Sequence, residues 1–478
     1  MLVMIGTLLV SPSVALAQAT WHSDQLIEDN AGYNGANAYV AMSGSNAVAV
    51  WHQSDGSNGR IYSNYSTDGG ATWHSDQLIE NNAGYDAYAP YVAMSGSNVV
   101  VVWYQLDSGG HNRIYSNYST DGGATWNSSA QLIENNAGYD GREPSVAMSG
   151  SNVVAVWYQK DSGNKYRIYS NYSTDGGATW EGDQLIEGTW AREHWYPHIA
   201  MSGSNVVAVW QQLDGTIFRI YRNYSADGGA TWTGAQPIQD NTGHDGIYPY
   251  VAISGSNSVA VWCQHDGTAW RFYSDYSPDG GATWGSDQLI QDGAGPQEYA
   301  YVAISGSNAV AVWRQSDGSN PRIYSNYSTD GGATWEGAQL IEDNAGYDAI
   351  YPYVAVSGSN AVAVWCVFEG SIPRIYSSYS TDGGATWEGD QLIEDNAGYK
   401  GWSPHVAMSG SNAVAVWHQE GGSPFRIYSN HLGPDSSVVG YEVYPVNKVG
   451  VVAPWVALAI VVAAGGIYLF RRRVNNSM

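Results

Sequence analysis

The sequence predicts an all-β fold: an eight-bladed β-propeller closed by its N-terminal strand, followed by one C-terminal transmembrane helix. Two observations predict the propeller. The tripeptide Ala-Thr-Trp occurs eight times at intervals of 51 to 54 residues, and each interval holds four short apolar runs separated by Gly, Asn and Asp. A repeat of this length, built from strands and turns, is typical of propeller blades.

The four runs of each repeat are predicted to be strands, which we name a to d. In one repeat they read PYVAMSG, NVVVVWYQ, RIYSNYS and TWHSDQLIE. Strand b consists almost entirely of Val, Ala and Trp, which suits a sheet that is buried on both faces. Blades stacked around an axis bury both faces of their sheets.

The ends of the array indicate how the ring closes. The array begins with a lone d strand, Thr20 to Glu28, and its last repeat stops after a c strand at 426–430. Eight complete blades result only if the first strand joins the last blade. Such a closure also removes exposed sheet edges, which would otherwise invite aggregation.

Both termini carry membrane signals. The first residues contain an apolar run and an Ala-Leu-Ala site, as secretory signal peptides do. Near the other end, an uncharged apolar stretch is long enough for a helix that crosses a bilayer, which needs about 20 residues. Three arginines follow it, and the positive-inside rule places them in the cytoplasm. The predicted organisation is a signal peptide at 1–17, an extracellular propeller at 20–430, a stalk at 431–448, a transmembrane helix at 449–470 and a cytoplasmic tail at 471–478.

Composition narrows the choice of partners. The formal net charge is −25, so nucleic acid and anionic membrane surfaces would repel the protein. The two cysteines, Cys263 and Cys366, lie at equivalent points of different repeats. They are therefore predicted to stay unpaired and to form no metal site. No cofactor or metal is predicted, although the acidic turns leave calcium open, and the sequence does not indicate an oligomeric state.

An octamer, Ser-Thr-Asp-Gly-Gly-Ala-Thr-Trp, stands between strands c and d. It occurs five times, with two further copies that differ in one residue. The pattern Ser-x-Asp-x-Gly-x-Thr-Trp resembles the Asp box, and residues 20–430 resemble the Asp-box (bacterial neuraminidase repeat) propellers of the sialidase superfamily. We interpret the aspartates as structural, because their carboxylates can accept N–H groups of their own turn while the glycines take positive φ. They are Asp68, Asp121, Asp175, Asp227, Asp279, Asp330 and Asp382.

Sequence variation points to one end of the ring. In a four-stranded meander the a–b and c–d turns lie at one end, and the b–c and d–a loops lie at the other. The first end is nearly invariant, whereas the loops of the second differ between repeats, and loops on a rigid scaffold often carry function. Four Trp and three Arg outside the repeated positions and the membrane-proximal segment fall at this variable end.

The predicted ligand-binding residues are those of the variable end. Aromatic rings there can cover the C–H faces of a sugar or contact a peptide, and Arg can pair with carboxylates. The candidates are Arg142, Glu143, Trp190, Arg192, Glu193, His194, Trp195, Asp245, Trp270, Arg314 and Trp402. Structural roles compete with this hypothesis. The Trp residues can plug the propeller mouth, the eight repeated Arg of strand c can pair with nearby acids, and strand c explains the Asn-Tyr-Ser sequons without glycans.

Three functions stay open. The preferred hypothesis is a cell-surface propeller that recognises a glycan or protein ligand, because most of the chain is near-copies, whereas a catalytic site needs several different groups in one place. The family resemblance implies an alternative, a sialidase-like glycoside hydrolase with three arginines, a Tyr nucleophile activated by Glu and an Asp acid/base. None of these residues can be matched to a position in this chain. The third function is a purely structural role in the cell envelope.

Overall fold

The computed structural model describes residues 19–434, apart from 31, 189–192, 241–242, 292, 294–297, 345, 397 and 421–423. These residues form eight antiparallel sheets, the blades. Strand a of each blade contacts strand a of the next, and blade 8 contacts blade 1, so the ring is closed. The predicted signal peptide and transmembrane segment lie outside the described residues. Within the described part of the chain, no helix could span a membrane.

Each blade contributes its strands in the order a, b, c, d from the axis outwards. Blade 1 contains Gly35–Ser43, Asn46–Ser54, Gly59–Ser66 and Gln77–Leu78; blade 2 contains Ala87–Ser95, Asn98–Leu106, Asn112–Ser119 and Gln131–Leu132; blade 3 contains Gly141–Ser149, Asn152–Lys160, Tyr166–Ser173 and Gln184–Leu185; blade 4 contains His194–Ser202, Asn205–Asp214, Ile217–Ser225 and Gln236–Pro237.

The second half of the ring follows the same plan. Blade 5 contains Gly246–Ser254, Asn257–His265, Trp270–Ser277 and Gln288–Leu289; blade 6 contains Ala300–Ser305, Asn308–Ser316, Pro321–Ser328 and Gln339–Leu340; blade 7 contains Ala349–Ser357, Asn360–Glu369, Ile372–Ser380 and Gln391–Leu392; blade 8 contains Lys400–Ser409, Asn412–Glu420 and Phe425–Pro434, completed by Ala19–Trp21 and Gln25–Leu26.

Blade 8 combines the two ends of the described chain. Gln25 pairs with Ser429 and Leu26 with Tyr428, which confirms the predicted closure by the N-terminal strand. The d strands are shorter than predicted, because only a Gln-Leu or Gln-Pro dipeptide of each pairs with strand c. A side chain replaces part of the missing ladder: Asn64 Nδ2 donates to the carbonyl oxygen of His74 at 2.5 Å.

The core lies between the blades. Eight clusters of buried side chains each join residues of two neighbouring blades. Strand b is the centre of each blade: Ala47, Val48, Ala49, Val50 and Trp51 are all 0% exposed, which confirms the prediction of a sheet buried on both faces. Both cysteines are buried thiols that take part in no disulfide. Hydrophobic burial between blades is therefore the main force that holds the ring together.

A buried polar network adds to this packing at the blade boundaries. Between blades 1 and 2, Arg60 pairs with Glu80, Gln105 Nε2 donates to Glu80 Oε2 at 3.0 Å, and Trp103 Nε1 donates to Gln105 Oε1 at 3.3 Å. All eight repeated arginines form ion pairs with nearby carboxylates. They are Arg60, Arg113, Arg167, Arg219, Arg271, Arg322, Arg374 and Arg426.

The Asp box is a self-contained turn. Asp68 Oδ1 accepts from Thr72 N at 2.9 Å and from Ser66 Oγ at 2.8 Å, and Asp68 Oδ2 accepts from Thr72 Oγ1 at 2.6 Å. Gly70 has φ 91°, and a Cβ there would lie 2.5 Å from Val414 of the preceding blade. The box aspartate therefore stabilises its own turn, as predicted.

Candidate functional site

The hydrogen bonds confirm that the ring has two different ends. The Asp box lies beside the a–b turn, since Gly69 N donates to Ser45 O at 2.7 Å. At the other end the d–a loop lies beside the end of strand b, since Ser54 N donates to Asn34 O at 3.1 Å. The variable b–c and d–a loops thus share one end, which we call the variable end.

A ring of eight side chains lines the axis, one from the same position of each strand a. We call it the collar. It consists of Tyr39, Tyr91, Ser145, His198, Tyr250, Tyr301, Tyr353 and His405. Its aromatic members pack around the ring, with centroid distances such as 3.6 Å for His198 and Tyr250 and 4.0 Å for Tyr39 and His405. The collar divides the space along the axis into two cavities.

The collar is uncharged at neutral pH. Tyr39 Oη donates to Tyr91 Oη at 2.9 Å, and the hydroxyls of Tyr250 and Tyr353 lie 2.8 Å apart. Burial raises the pKa of Tyr39 and of Tyr353 well above the ordinary value for tyrosine. Burial also lowers the pKa of His405 to about 4. The neutral forms are favoured because the ionised forms would be desolvated.

A β-bulge determines the direction of the side chains that lie above the collar. The residue two positions before the collar residue takes positive φ in seven blades, and all seven of these strands show a register shift at this point. The seven are Asn37, Ala89, Glu143, Tyr196, Tyr248, Tyr351 and Ser403, with φ between 48° and 55°; Tyr299 holds the same position in blade 6. Bulges of this kind re-aim a side chain.

The cavity above the collar opens at the variable end. Its volume is about 310 Å³, and Tyr299, Tyr351, Glu298 and the collar residues Tyr301 and Tyr353 line it, among others. Tyr351 is 53% exposed and Tyr299 is 41% exposed, so both rings are accessible from solvent. We call this space the axial cavity.

Two acidic residues stand at the rim of this opening. Glu298 forms an ion pair with Arg314, and burial raises the pKa of Glu298 although Arg314 opposes the shift. Burial likewise raises the pKa of Glu143, against the attraction of Arg142. Of the predicted site residues, Glu143 holds the bulge position of blade 3, with Arg142 before it in the strand, and Arg314 pairs with Glu298, which lines the axial cavity.

Three tyrosines form a bridge from the axial cavity towards blade 4. The ring centroids of Tyr248 and Tyr299 are 4.3 Å apart, and those of Tyr196 and Tyr248 are 5.2 Å apart. Beyond them lies a second opening of about 300 Å³ between blades 4 and 5, which we call the side pocket. The structure brings three predicted site residues together there: Trp195, Asp245 and Trp270.

The other predicted residues lie elsewhere. His194 is 0% exposed, with Nδ1 2.8 Å from the carbonyl oxygen of Tyr166, so it belongs to the interior and we leave it out of the site. Glu193 pairs with Lys165 at 3.2 Å. Trp402 packs edge-on against Phe368 at 5.4 Å. Trp190 and Arg192 lie outside the described residues.

The tryptophans were expected in loops, and this was wrong for three of them. Trp195 and Trp402 lie in a strands, and Trp270 begins a c strand, because the strands extend further towards the variable end than their apolar cores suggest. Sequence reasoning also missed the tyrosines of the mouth. Their signal is a Tyr two residues before the collar position, as in Tyr-Pro-Tyr, Tyr-Pro-His or Tyr-Ala-Tyr.

Among the residues that the structure describes, no group of three or more His, Cys, Asp or Glu could hold a metal ion. The guanidinium of Arg314 donates to Glu298. What the variable end does offer is aromatic surface with fixed polar groups, which suits binding.

Comparison with known proteins agrees with the fold. Residues 60–261 match the family model of the BNR repeat-like domain. No curated protein matches the chain. Among solved structures, an ulvan lyase described as a polysaccharide lyase is 9% identical, with a TM-score of 0.51 over 78% of this chain and 97% of its own.

Two further solved structures are similar over a large part of the chain. An alpha-L-arabinofuranosidase of Fusarium graminearum is 15% identical, with a TM-score of 0.41 over 61% of this chain and 92% of its own. Trypanosoma rangeli sialidase is 11% identical, with a TM-score of 0.41 over 74% and 54%. The described chain is thus an eight-bladed β-propeller whose residues 60–261 match the BNR repeat-like domain, which confirms the Asp-box propeller resemblance seen in the sequence.

Proposed function

We propose that the protein binds a glycan in the axial cavity at the variable end. The observation that carries this proposal is the cavity of about 310 Å³ between Tyr299 and Tyr351, floored by the collar. Ligand sites are typically concave spaces of roughly 300 to 1,000 Å³ with apolar or aromatic walls and a few fixed polar groups. Here the tyrosine rings supply the walls, and the Glu298–Arg314 pair supplies a polar edge for hydroxyl groups.

A glycan fits this site better than a folded protein. Stable protein interfaces cover about 800 Å² on each partner, whereas the accessible aromatic surface here is concave and narrow. Aromatic rings pack well against the C–H faces of sugars. The ulvan lyase that shares this fold is named as a polysaccharide lyase, which is in keeping with a glycan ligand for this chain.

Glycan binding can be tested with an array of immobilised saccharides. We expect Tyr351→Ala to weaken binding about tenfold, the loss of roughly 1.4 kcal/mol that removal of one stacked ring produces. The backbone tolerates Ala there, since Ala89 holds the equivalent position with φ 48°. Tyr399→Ala removes a similarly exposed ring, 39% accessible, outside the cavity and serves as the control. Equal binding by both variants and the wild type would contradict the proposal, and turnover of a fluorogenic sialoside would favour the hydrolase alternative.

We also propose that the propeller is held at the outer face of the cell membrane. The apolar stretches at 1–17 and 449–470 and the arginines that follow the second support this topology. Protease treatment of intact cells should then release propeller fragments while a C-terminal tag stays with the membrane fraction. Recovery of the full chain from the soluble fraction of lysed cells would contradict it.

A further inference from the structure

The side pocket between blades 4 and 5 stands out because the chain otherwise repeats itself. Trp195 in strand a is paired with Gln211 in strand b in the antiparallel ladder. The equivalent pairs in other blades are Ala36 with His52 and Ile247 with Cys263. The combination of an indole and an amide is thus particular to blade 4.

Two aromatic residues of the c strands lie at the same place. The residue before the repeated Arg is Phe218 in blade 4 and Trp270 in blade 5, whereas blades 1 and 2 have Gly59 and Asn112. Blades 3 and 8 also carry an aromatic residue at this position, Tyr166 and Phe425. In blades 4 and 5, one opening of about 300 Å³ is lined by Trp195, Gln211, Phe218 and Trp270, so two indoles, a phenyl ring and an amide share the same space.

The polar groups of this pocket are held in place. Tyr248 N donates to Gln211 Oε1 at 3.1 Å, and Gln211 is only 5% exposed, so its NH₂ group is left to face the pocket. Asp245 Oδ1 accepts from Phe218 N at 2.7 Å, which fixes the carboxylate. The pocket therefore presents one oriented donor and one oriented acceptor between aromatic faces.

This combination defines the chemistry of the ligand. A saccharide ring offers apolar C–H faces for the indoles and hydroxyl groups that can both donate and accept. An anionic sugar would meet the carboxylate of Asp245, and no Lys or Arg is found among the described residues that line the pocket. The pocket thus suits a neutral sugar.

The side pocket and the axial cavity are connected. Tyr196 and Tyr248 line the side pocket, and Tyr248 stacks on Tyr299, which lines the axial cavity. Tyr196 is 38% exposed and Tyr299 41%, so the bridge between the two spaces is open to solvent. A linear chain can lie across it with units in both spaces.

We propose that the side pocket is a second subsite for a neutral, linear oligosaccharide whose other units occupy the axial cavity. This inference rests on the proposed function, because it assumes that the axial cavity binds a glycan. If the two subsites are connected, affinity should rise with the length of the oligosaccharide until both subsites are filled, because the second contact is made by a ligand that is already bound.

The test measures affinity by calorimetry for cello- and xylo-oligosaccharides from two to eight units, with a sialylated trisaccharide as the anionic probe. We expect the wild-type affinity for at least one series to rise about tenfold or more from the shortest to the longest members. Trp195→Ala introduces the residue that blade 1 has at this position, and Trp270→Asn introduces that of blade 2. Both variants should lose this rise and still bind the short members. Trp402→Ala, at the position in blade 8 equivalent to Trp195, should keep the rise.

The outcomes separate the two proposals. If no probe binds, the proposed function fails and the inference fails with it. Only the second subsite is overturned if short oligosaccharides bind and longer ones bind no more tightly. The same holds if Trp270→Asn keeps the full rise of affinity with oligosaccharide length. Binding confined to the sialylated probe overturns the neutral class of ligand.

Discussion

Gln53 of blade 1 donates through Nε2 to Glu28 Oε2 at 2.9 Å, across the boundary where the two ends of the propeller chain meet. Glu28 also pairs with Arg426 of blade 8 and has a fully buried side chain. The same two contacts occur at the boundary between blades 1 and 2, where Glu80 takes the place of Glu28. The boundary between blades 8 and 1, where the ring closes, is therefore built like the boundary between blades 1 and 2.

We expect Glu28→Ala to destabilise the ring by about 3 to 5 kcal/mol, because removal of one partner leaves a buried arginine uncompensated. Glu80→Ala is the comparison at an internal boundary, and it should cost no more than Glu28→Ala, because Arg60 keeps its ion pair with Asp55. Urea unfolding followed by tryptophan fluorescence measures both. A large loss for Glu80→Ala with none for Glu28→Ala would show that the N-terminal strand does not close blade 8.

Asp275 occupies the position at which six other blades have a buried asparagine and blade 7 has Ser378. Asn326 Nδ2 donates to the carbonyl oxygen of Ile290 in the preceding blade at 3.0 Å, but Asp275 Oδ2 is buried without a hydrogen-bond partner. Burial, with the charges of Asp287 and Asp240, raises the pKa of Asp275 to about 7. The protonated form is therefore favoured in the folded protein below about pH 7.

The pH dependence follows from this shift. The folded pKa is above the unfolded value of 3.8, so the contribution to stability is complete below about pH 3.8 and is lost as the pH rises through 7. The slope is at most about 1.4 kcal/mol per pH unit. Relative to the wild type, Asp275→Asn should gain stability as the pH rises from 4 to 7. Parallel thermal-unfolding curves over this range would contradict the shifted pKa.

The collar histidines act in the opposite direction. Burial lowers the pKa of His405 to about 4 and that of His198 to about 3. A base whose folded pKa lies below its unfolded value of 6.5 stabilises the protein above pH 6.5, and this stability is lost as the pH falls towards the folded pKa.

We expect His405→Ser to lower the stability at neutral pH, because it leaves a cavity, and to reduce the loss of stability between pH 6.5 and 4. Ser145 holds the equivalent position in blade 3, so the backbone accepts this residue. Thermal melting at a series of pH values gives the slope. An unchanged slope of stability against pH would show that protonation of His405 does not contribute to the loss of stability in acid.

Most Asn-Tyr-Ser sequons should carry no glycan. Asn64, Asn117 and Asn171 are at most 2% exposed, and Asn64 Nδ2 donates to the carbonyl oxygen of Ile27 at 2.8 Å. A glycan there would break this bond between blades. Peptide mass spectrometry of protein secreted from a glycosylating host should find these asparagines unmodified, with Asn127, which precedes Ser128-Ser129 in a half-exposed segment, as the internal comparison. Occupied Asn64 in folded protein would contradict this.

The repeat made the scaffold predictable. The period, the apolar b strands and the lone d strand at Thr20–Glu28 were enough to predict eight blades and their closure, since each blade repeats the same local pattern. The short d strands were not predictable, because the side chain of Asn64 takes over hydrogen bonds that a strand pattern assigns to the backbone.

The site was only partly predictable. Counting unrepeated tryptophans found Trp195 and Trp270, which meet in the side pocket. The same count missed Tyr299 and Tyr351, because a tyrosine recurs before the apolar part of most a strands and therefore looked structural. The bulge, with φ 55° at Tyr351, places that ring at the mouth of the axis, and Tyr299 holds the equivalent position in blade 6.

The central claim is that the variable end, and not the Asp-box end, binds a glycan. A crystal structure of the protein soaked with the tightest-binding oligosaccharide tests it most directly. We expect electron density for sugar rings in the axial cavity, in contact with Tyr299 and Tyr351. Density for the oligosaccharide at the Asp-box end or on the outer rim of the blades, with the axial cavity empty, would contradict it.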